Sequence, residues 1–221
     1  GGTPSINTDG TITSIVSANQ AAGFSVVKYT GSTGNTSFGT GLTSEAEFII
    51  FKRYTNAQNW FVFLKINNVW HYIEGLNTTS AAINYSASMS STSTTVNLPS
   101  FNEFNQDPNS SYLAYCFTSI SGYSKVGSYT GNQSLNTANQ INFGFTPGFV
   151  LIKNTTNSGS QWMLFDSART NGMALYANSS SAAVDYTTDL LLSSQGLEFK
   201  STNINVNQSG ATYIYLAIKE N

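Results

Sequence analysis

The sequence predicts an all-β protein: an antiparallel β-sandwich built from two internal repeats of about 100 residues. Short apolar and aromatic runs alternate with stretches rich in Gly, Asn, Ser and Pro, which is the pattern of strands and turns. No helical periodicity persists for more than a few residues. The chain also repeats itself, because LNTTSAAINY begins at Leu76 and ANSSSAAVDY begins at Ala177, 101 residues later.

Four more blocks recur in the same order at offsets of 100 to 102 residues. They are GFSVVKYTG with GYSKVGSYTG, FIIFK with FVLIK, NWFVF with QWMLF, and SYLAYCF with TYIYLAI. The offsets predict an N-terminal segment with the first strand over 1–22, a first β repeat over 23–120 and a second over 121–221. The joining stretch TSISGYS is too short for a flexible linker, so we expect the two repeats to merge into one sandwich.

Individual blocks predict the positions of their strands. SVVKYT alternates apolar and polar residues, as an edge or surface strand does. NWFVFLKI is apolar on both faces, which predicts a strand covered on both sides. Cys116, the one cysteine, is expected to be a small buried group on the strand YLAYCF. The polar run ASMSSTSTTV is expected to be a surface loop leading into a strand.

The composition excludes several classes of partner. Charged residues make up 9% of the chain, against about 25% in a typical protein, and the formal net charge is −2. No Lys/Arg-rich run is present, so binding to nucleic acid or to an anionic membrane surface is not expected. No run of about 18 apolar residues occurs, so no transmembrane helix is expected. A surface of Ser, Thr, Asn and Gln makes its contacts by hydrogen bonding.

Catalytic and metal-binding patterns are weak. His71 is the only histidine, and no nucleophile motif accompanies it. The eleven carboxylates are scattered, and only Glu45 and Glu47 lie close together, at the start of an apolar strand rather than in a cleft pattern. We therefore expect no catalytic residues, no metal site, no cofactor and no enzymatic activity.

Two tryptophans occupy matching places in the repeats. Trp60 and Trp162 share an equivalent position, and so do Lys52 and Lys153. One interpretation is a pair of sugar-stacking sites, since a flat indole covers an apolar sugar face. The favoured interpretation is a pair of core aromatics, because a shared core would produce the same equivalence.

The third tryptophan, Trp70, has no apparent counterpart in the second half and lies beside His71 and Tyr72. We therefore expect Trp70, His71 and Tyr72 to form the ligand-binding cluster, if the chain has an aromatic contact site.

Several motifs together carry a family resemblance. They are GTITSIVSANQAAGFSVVKYTG, SSYLAYCF, GYSKVGSYTGN, GFTPGFVLIK, LFDSARTNG and GATYIYLAIKEN. From Thr11 to Asn221 the chain resembles a family of tailed-phage virion structural or tail-fibre proteins, found in marine and cyanobacterial phages among others. The chain departs from the family at Asn154, where members often have Arg. The resemblance implies a concanavalin- or lectin-like (jelly-roll-like) β-sandwich and carries over no catalytic residue.

The resemblance implies a non-enzymatic tail-fibre or receptor-binding domain of the extracellular virion, made in the host cytoplasm. Its expected partners are a host-surface glycan or other receptor and further virion proteins, and fibre proteins of this kind are commonly homotrimers. We expect recognition at Lys65 to Gly75 and at the polar loop Ser86 to Thr95. A purely structural virion part, such as a capsid decoration or a fibre-connecting domain, is the alternative, and a glycan depolymerase is the third.

Overall fold

The computed structural model describes residues 2–85, 89–101, 103–132 and 141–220. It confirms an all-β chain in which every described strand pair is antiparallel. In this described part, the single helical element is the 3₁₀ turn Gln20–Ala22, so no helix there is long enough to cross a membrane. The chain divides into unit 1, which is Gly1–Leu76 with Ile83–Ser119, and unit 2, which is Asn77–Ala82 with Ile120–Asn221.

Unit 1 contains eleven described strands. They are β1 (Ser5–Asn7), β2 (Ser14–Asn19), β3 (Phe24–Thr30), β4 (Thr36–Gly39), β5 (Phe48–Arg53), β6 (Phe61–Ile66), β7 (Val69–Ile73), β8 (Ile83–Asn84), β9 (Ser90–Ser91), β10 (Thr95–Leu98) and β11 (Ser111–Phe117). The large sheet has the order β1-β2-β3-β11-β5-β6-β7-β8, and the small sheet has the order β4-β10-β9.

The N-terminal segment differs from its prediction. It forms two strands, β1 and β2, rather than one, and β2 pairs with β3 along its whole length. Strand β3 is therefore not an edge strand, because it lies between β2 and β11 inside the sheet. The surface-strand alternative agrees with its burial, since Lys28 and Thr30 on one face are exposed whereas Ser25, Val27 and Tyr29 on the other are buried. The alternation reflects unequal burial of the two faces of β3, which does not depend on the strand's place in the sheet.

Unit 2 contains nine described strands. They are β12 (Ser124–Thr130), β13 (Ile141–Asn142), β14 (Pro147–Asn154), β15 (Trp162–Asp166), β16 (Met173–Tyr176), β17 (Val184–Asp185), β18 (Leu190–Ser193), β19 (Gly196–Phe199) and β20 (Thr212–Lys219). The large sheet has the order β12-β20-β14-β15-β16-β17, and the small sheet has the order β13-β19-β18.

The strand orders of the two units correspond. From β3 onward, the order β3-β11-β5-β6-β7-β8 matches β12-β20-β14-β15-β16-β17, and the small sheets match as well. FIIFK lies on β5 and FVLIK lies on β14, and each strand is flanked by equivalent neighbours. The origin of this arrangement by duplication of one ancestral unit stays a prediction.

The core of unit 1 forms between its two sheets. Alternate residues of β11, namely Tyr112, Ala114 and Cys116, are fully buried on one face, as the period of two in a strand requires. Tyr29 of the large sheet stacks on Phe38 of the small sheet with ring centroids 4.8 Å apart. The prediction that Cys116 is a buried strand residue is confirmed.

Unit 2 has a hydrophobic core of its own, again between a large and a small sheet. Tyr129 of β12 packs against Phe199 of β19 at 5.1 Å, and Phe143, which follows β13, packs against Tyr215 of β20 at 5.0 Å. Each unit thus has the two-layer packing of a sandwich. The merging of both halves into one sandwich stays a prediction.

Strand β6 has the two-sided burial that its sequence predicted. Phe61, Val62, Phe63 and Leu64 are each no more than 5% exposed. Phe61 and Phe63 belong to the core cluster of unit 1, whereas Val62 and Leu64 point to the opposite face of the sheet. The prediction that NWFVFLKI is covered on both sides is therefore confirmed for these four residues.

Candidate ligand-binding groove

The three residues predicted as a ligand-binding cluster all lie on β7, but they do not form one surface. Trp70 is only 5% exposed and belongs to the core of unit 1, and Tyr72 packs against the same core. His71 points to the other face of the sheet, because side chains alternate along a strand. Trp70 and Tyr72 thus lie on one face of β7 and His71 lies on the other, and the ligand-binding role of Trp70, His71 and Tyr72 stays a prediction.

His71 and Tyr72 each contact other groups of the protein. The Nδ1 atom of His71 lies 2.9 Å from the carbonyl oxygen of Val69. The ring of Tyr72 stacks on Phe63 at 5.8 Å and meets Tyr85 edge-on at 5.2 Å. Burial, followed by the nearby Glu74 and Glu103 carboxylates, raises the pKa of Tyr72, so its hydroxyl stays protonated near neutral pH.

Most of the predicted recognition segment from Lys65 to Gly75 is a tight hairpin rather than an inserted loop. Strands β6 and β7 are joined by Asn67 and Asn68, whose φ angles are 51° and 63°. Two consecutive residues with positive φ make a type I′ turn, which suits the twist of a hairpin. Strand β7 also corresponds in sheet order to β16, so VWHY does have a counterpart in unit 2.

The second predicted recognition segment, Ser86 to Thr95, is only partly described, because residues 86–88 lie outside the described residues. Of the remainder, Met89 is 3% exposed and belongs to the core of unit 1. Ser90 and Ser91 form β9, and a turn at Thr92 leads into β10. The described part is therefore anchored to the small sheet rather than being a wholly exposed loop.

The two equivalent tryptophans have different environments. Trp162 is fully buried, as predicted for a core aromatic, but Trp60 is 37% exposed. The Nζ atom of Lys52 lies 5.5 Å from the Trp60 ring centroid, and the Tyr115 ring lies 6.2 Å away. The prediction that both tryptophans are core residues is therefore wrong for Trp60.

The paired carboxylates of unit 1 have structural partners. Glu45 accepts hydrogen bonds from Lys65 and Ser91, both at 2.6 Å, and Glu47 accepts one from the backbone N–H of Ser119 at 2.6 Å. Burial alone would raise the pKa of Glu45, but these bonds outweigh it and the pKa is lowered. Across the described ranges, no three His, Cys, Asp or Glu side chains cluster as metal ligands would.

A groove in unit 2 has the concave shape of a ligand-binding site. Its volume is about 350 Å³, within the usual range for small-ligand sites. The groove is lined by Thr146, Pro147, Ser167, Asn171, Leu192, Ser193, Ser194 and Glu220.

Strand ends and turns position this lining. Ser194 lies in the two-residue turn between β18 and β19, and its carbonyl oxygen accepts a hydrogen bond from the Thr146 hydroxyl at 2.9 Å. Glu220 follows β20, where its backbone N–H donates to the carbonyl oxygen of Thr146 at 2.9 Å. The side chain of Asn171 both donates to and accepts from the backbone of Leu192 at 2.8 Å. These bonds hold the rim in place before any ligand arrives.

The remaining polar groups of the groove are available to a ligand. Among the described residues, no hydrogen-bond partner holds the hydroxyls of Ser167, Ser193 and Ser194 or the carboxylate of Glu220. Hydroxyls donate and accept, and an ionised carboxylate accepts through two oxygens. Pro147 and Leu192 add a small apolar wall. Such a groove is chemically suited to a neutral molecule with many hydroxyl groups.

Sequence reasoning did not identify the groove. Ser193 ends β18 and Ser194 begins the turn in LLLSSQG, and hydroxyl residues at turns are common. Glu220 lies at the far end of the sequence from Thr146, and only the pairing of β14 with β20 brings the two together. No local motif marks residues that meet through strand pairing.

Comparisons with known proteins identify the family but no function. No curated protein and no solved structure matches the chain. The model of the family described as Domain of unknown function (DUF7483) matches residues 1–221. The chain therefore belongs to the DUF7483 family.

Proposed function

We propose that the chain is a non-enzymatic receptor-binding or tail-fibre domain of a phage virion that binds a glycan on the surface of the host cell. The observation that carries the proposal is the groove of unit 2, whose free hydroxyls and single carboxylate suit a sugar. The resemblance to tailed-phage structural proteins over Thr11 to Asn221 supports the setting. A protein of this kind would be located in the extracellular virion.

The chemistry of the groove favours a glycan over a charged ligand. Glu220 is the one ionisable side chain in the lining, and no cationic side chain accompanies it. Sugar hydroxyls can donate to the Glu220 carboxylate and exchange hydrogen bonds with Ser193 and Ser194. A single such site binds weakly, and several copies held together in a virion strengthen attachment by raising the effective concentration.

The proposed function is binding without catalysis, because Glu220 is the one carboxylate in the groove lining. Glycosidases that use two carboxyl groups place them about 5–10 Å apart across the scissile bond. Glu220 has no carboxylate partner in the lining, and Glu45 and Glu47 are engaged elsewhere in unit 1. A depolymerase would therefore need chemistry that the groove residues do not supply.

Competition with the phage for its host tests the proposal. Purified chain, added in excess to host cells, should reduce adsorption of the phage that carries it. Glu220→Gln should lower this inhibition about tenfold, since a hydrogen bond to a charged group contributes roughly 1.5–3 kcal/mol. Asp9→Asn, at an exposed carboxylate of unit 1 outside the predicted recognition segments, is the control and should inhibit as the unaltered chain does.

Two outcomes would decide against receptor binding. Unchanged adsorption in the presence of saturating chain would favour the purely structural alternative, in which all contacts are with other virion proteins. Degradation of host capsule by the purified chain would favour the depolymerase. Equal inhibition by the chain and by Glu220→Gln would place the receptor contact outside the groove.

A further inference from the structure

One segment from the first half of the chain belongs to unit 2. Residues 77–82, which we name the first strap, lie in that unit. The backbone N–H of Ala82 donates to the carbonyl oxygen of Thr155 at 2.8 Å, and the N–H of Gly159 donates to the carbonyl oxygen of Thr79 at 2.9 Å. Thr155 is only 5% exposed, and Ala82 is half-buried. The first strap is therefore docked on the connection between β14 and β15.

The equivalent segment of the second half is not docked in this way on any part of the chain that the structure describes. Residues 178–183, the second strap, carry the repeated sequence and likewise connect the strands equivalent to β7 and β8. Every residue from Ser179 to Ala183 is exposed. Among the residues that the structure describes, Ser179 and Ser181 bond only to the strap itself and to its neighbour Tyr176. For Ala183, the counterpart of Ala82, no hydrogen-bond partner exists among the described residues.

Unit 1 has a docking position equivalent to the one in unit 2. Tyr54 corresponds to Thr155, because each residue follows its strand and donates to the first residue of the neighbouring strand. The N–H of Tyr54 donates to the carbonyl oxygen of Ser111 at 3.2 Å. The N–H of Thr155 donates to the carbonyl oxygen of Thr212 at 2.8 Å. The next residue repeats the match, because the hydroxyls of Thr55 and Thr156 accept from the N–H groups of Ser111 and Thr212.

This position in unit 1 is uncovered. Tyr54 is 44% exposed, whereas its counterpart Thr155 is 5% exposed. The connection between β5 and β6 begins with residues 54–58, which we call the connection 54–58, and all five are exposed. In the described part of the chain nothing donates to the carbonyl oxygen of Tyr54. The nearby Trp60 is also exposed, although its counterpart Trp162 is buried. Within the described part of the chain, the second strap therefore contacts no docking position, and the equivalent position at Tyr54 in unit 1 is not covered by a strap.

We propose that copies of this chain associate with one another, the second strap of one copy docking on the connection 54–58 of the next. The N–H of Ala183 donates to the carbonyl oxygen of Tyr54, as the N–H of Ala82 donates to that of Thr155 within each chain. The partner is a second copy because the docked first strap is a closely similar segment on the equivalent connection. Such a contact joins two different surfaces, so it closes into a ring or extends into a fibre according to the rotation between copies. It does not depend on glycan binding.

Measuring mass against concentration with the full chain tests this association. Sedimentation velocity should show species larger than the monomer that increase with concentration. Ala183→Pro removes the donor N–H from an exposed segment and should weaken association about tenfold. Ser180→Ala leaves the backbone intact and should associate like the unaltered chain. A chain that stays monomeric up to about 1 mM, or an Ala183→Pro variant that associates normally, would overturn the proposal.

Disulfide trapping tests the contact itself. A chain with Ala183→Cys mixed with a chain with Tyr54→Cys should form a linked dimer on mild oxidation. The native Cys116 does not interfere, because it is fully buried and burial raises its pKa to about 12. Ile204→Cys, at another exposed position of unit 2, is the control partner for Tyr54→Cys. Equal linking of Tyr54→Cys to both partners would contradict the proposed docking.

Discussion

Gly31 and Gly131 end the YTG triplet in each repeat, and in both units a backbone carbonyl occupies the space that a side chain would need. A Cβ atom on Gly31 would lie 2.4 Å from the carbonyl oxygen of Asp107, and one on Gly131 would lie 2.2 Å from that of Gln208. Backbone atoms cannot yield as the end of a flexible side chain can. The recurrence of glycine in YTG therefore follows from a close approach of two backbone segments.

Gly31→Ala and Gly131→Ala should each lower the free energy of unfolding by about 1–3 kcal/mol, the usual cost of overpacking. Urea denaturation of the full chain measures the change. Gly2→Ala is the control, since its nearest neighbour, the carbonyl oxygen of Ala18, lies 3.8 Å from the added Cβ. Alanine variants as stable as the unaltered chain would show that the backbone carbonyls beside Gly31 and Gly131 leave room for a Cβ atom.

Lys153 is a buried cation in unit 2. It is fully buried, its ammonium donates to the carbonyl oxygen of Asn154 at 2.6 Å, and it takes part in none of the described ion pairs. Burial lowers the pKa of Lys153 from 10.5 to about 8. Below pH 8 the amine is charged in both the folded and the unfolded chain, so the burial cost is present in full. Between pH 8 and 10.5 the unfolded chain binds more protons, so this cost falls as pH rises.

Lys153→Met should therefore raise the free energy of unfolding at pH 7 by about 2 kcal/mol. The difference between the variant and the unaltered chain should shrink as pH rises from 8 to 10.5. Thermal unfolding of both proteins across this range measures it, and Lys200→Met, at a more exposed lysine, is the control. A constant difference across the range would mean that the Lys153 amine is hydrated in the folded chain.

The turn between β6 and β7 shows how two residues determine an element. Asn67 and Asn68 both have positive φ, which asparagine tolerates and β-branched residues do not. Asn68→Val should lower the free energy of unfolding by about 1–2 kcal/mol, and Asn68→Gly should leave it unchanged or raise it. Chemical denaturation checks both. Asn56→Val, in an exposed connection without positive φ, should be neutral, and an equal loss there would contradict the explanation.

Sequence patterns predicted where the strands lie better than they predicted which strand residues are exposed to solvent. The period of two in SYLAYCF places Tyr112, Ala114 and Cys116 in the core, and the apolar run in NWFVF gives a strand buried on both faces. The same reasoning treated Trp60 and Trp162 alike, because equivalent positions in a repeat share their strand neighbours. Exposure, however, depends on what covers a strand end, and local sequence does not carry that information.

The two units share one strand order, and each has one feature that the other lacks. Unit 1 adds the β1–β2 pair beside β3, and unit 2 receives the first strap. The predicted boundary between residues 120 and 121 lies one residue from the observed division at Ser119, but the sequence did not indicate that residues 77–82 belong to the second unit. A loop's docking partner is distant along the chain, so its local composition says only that it is a loop.

A matched pair of substitutions tests the role of the docked strap. Ala82→Pro removes the N–H that bonds to the carbonyl oxygen of Thr155 and should lower the free energy of unfolding by about 1–3 kcal/mol. Ala183→Pro makes the same change at the equivalent exposed position and should leave the unfolding of the isolated monomer unchanged. Thermal unfolding in dilute solution compares them. Equal effects would show that docking of the strap contributes nothing.

Binding to an array of bacterial surface glycans shows whether the groove of unit 2 recognises a sugar. The unaltered chain should bind a defined set of glycans at saturable levels, and the control Asp9→Asn should bind the same set. Glu220→Gln should lose about tenfold in affinity for every member of that set. Binding that is absent, or that survives Glu220→Gln unchanged, would mean that the groove of unit 2 is not a sugar-binding site.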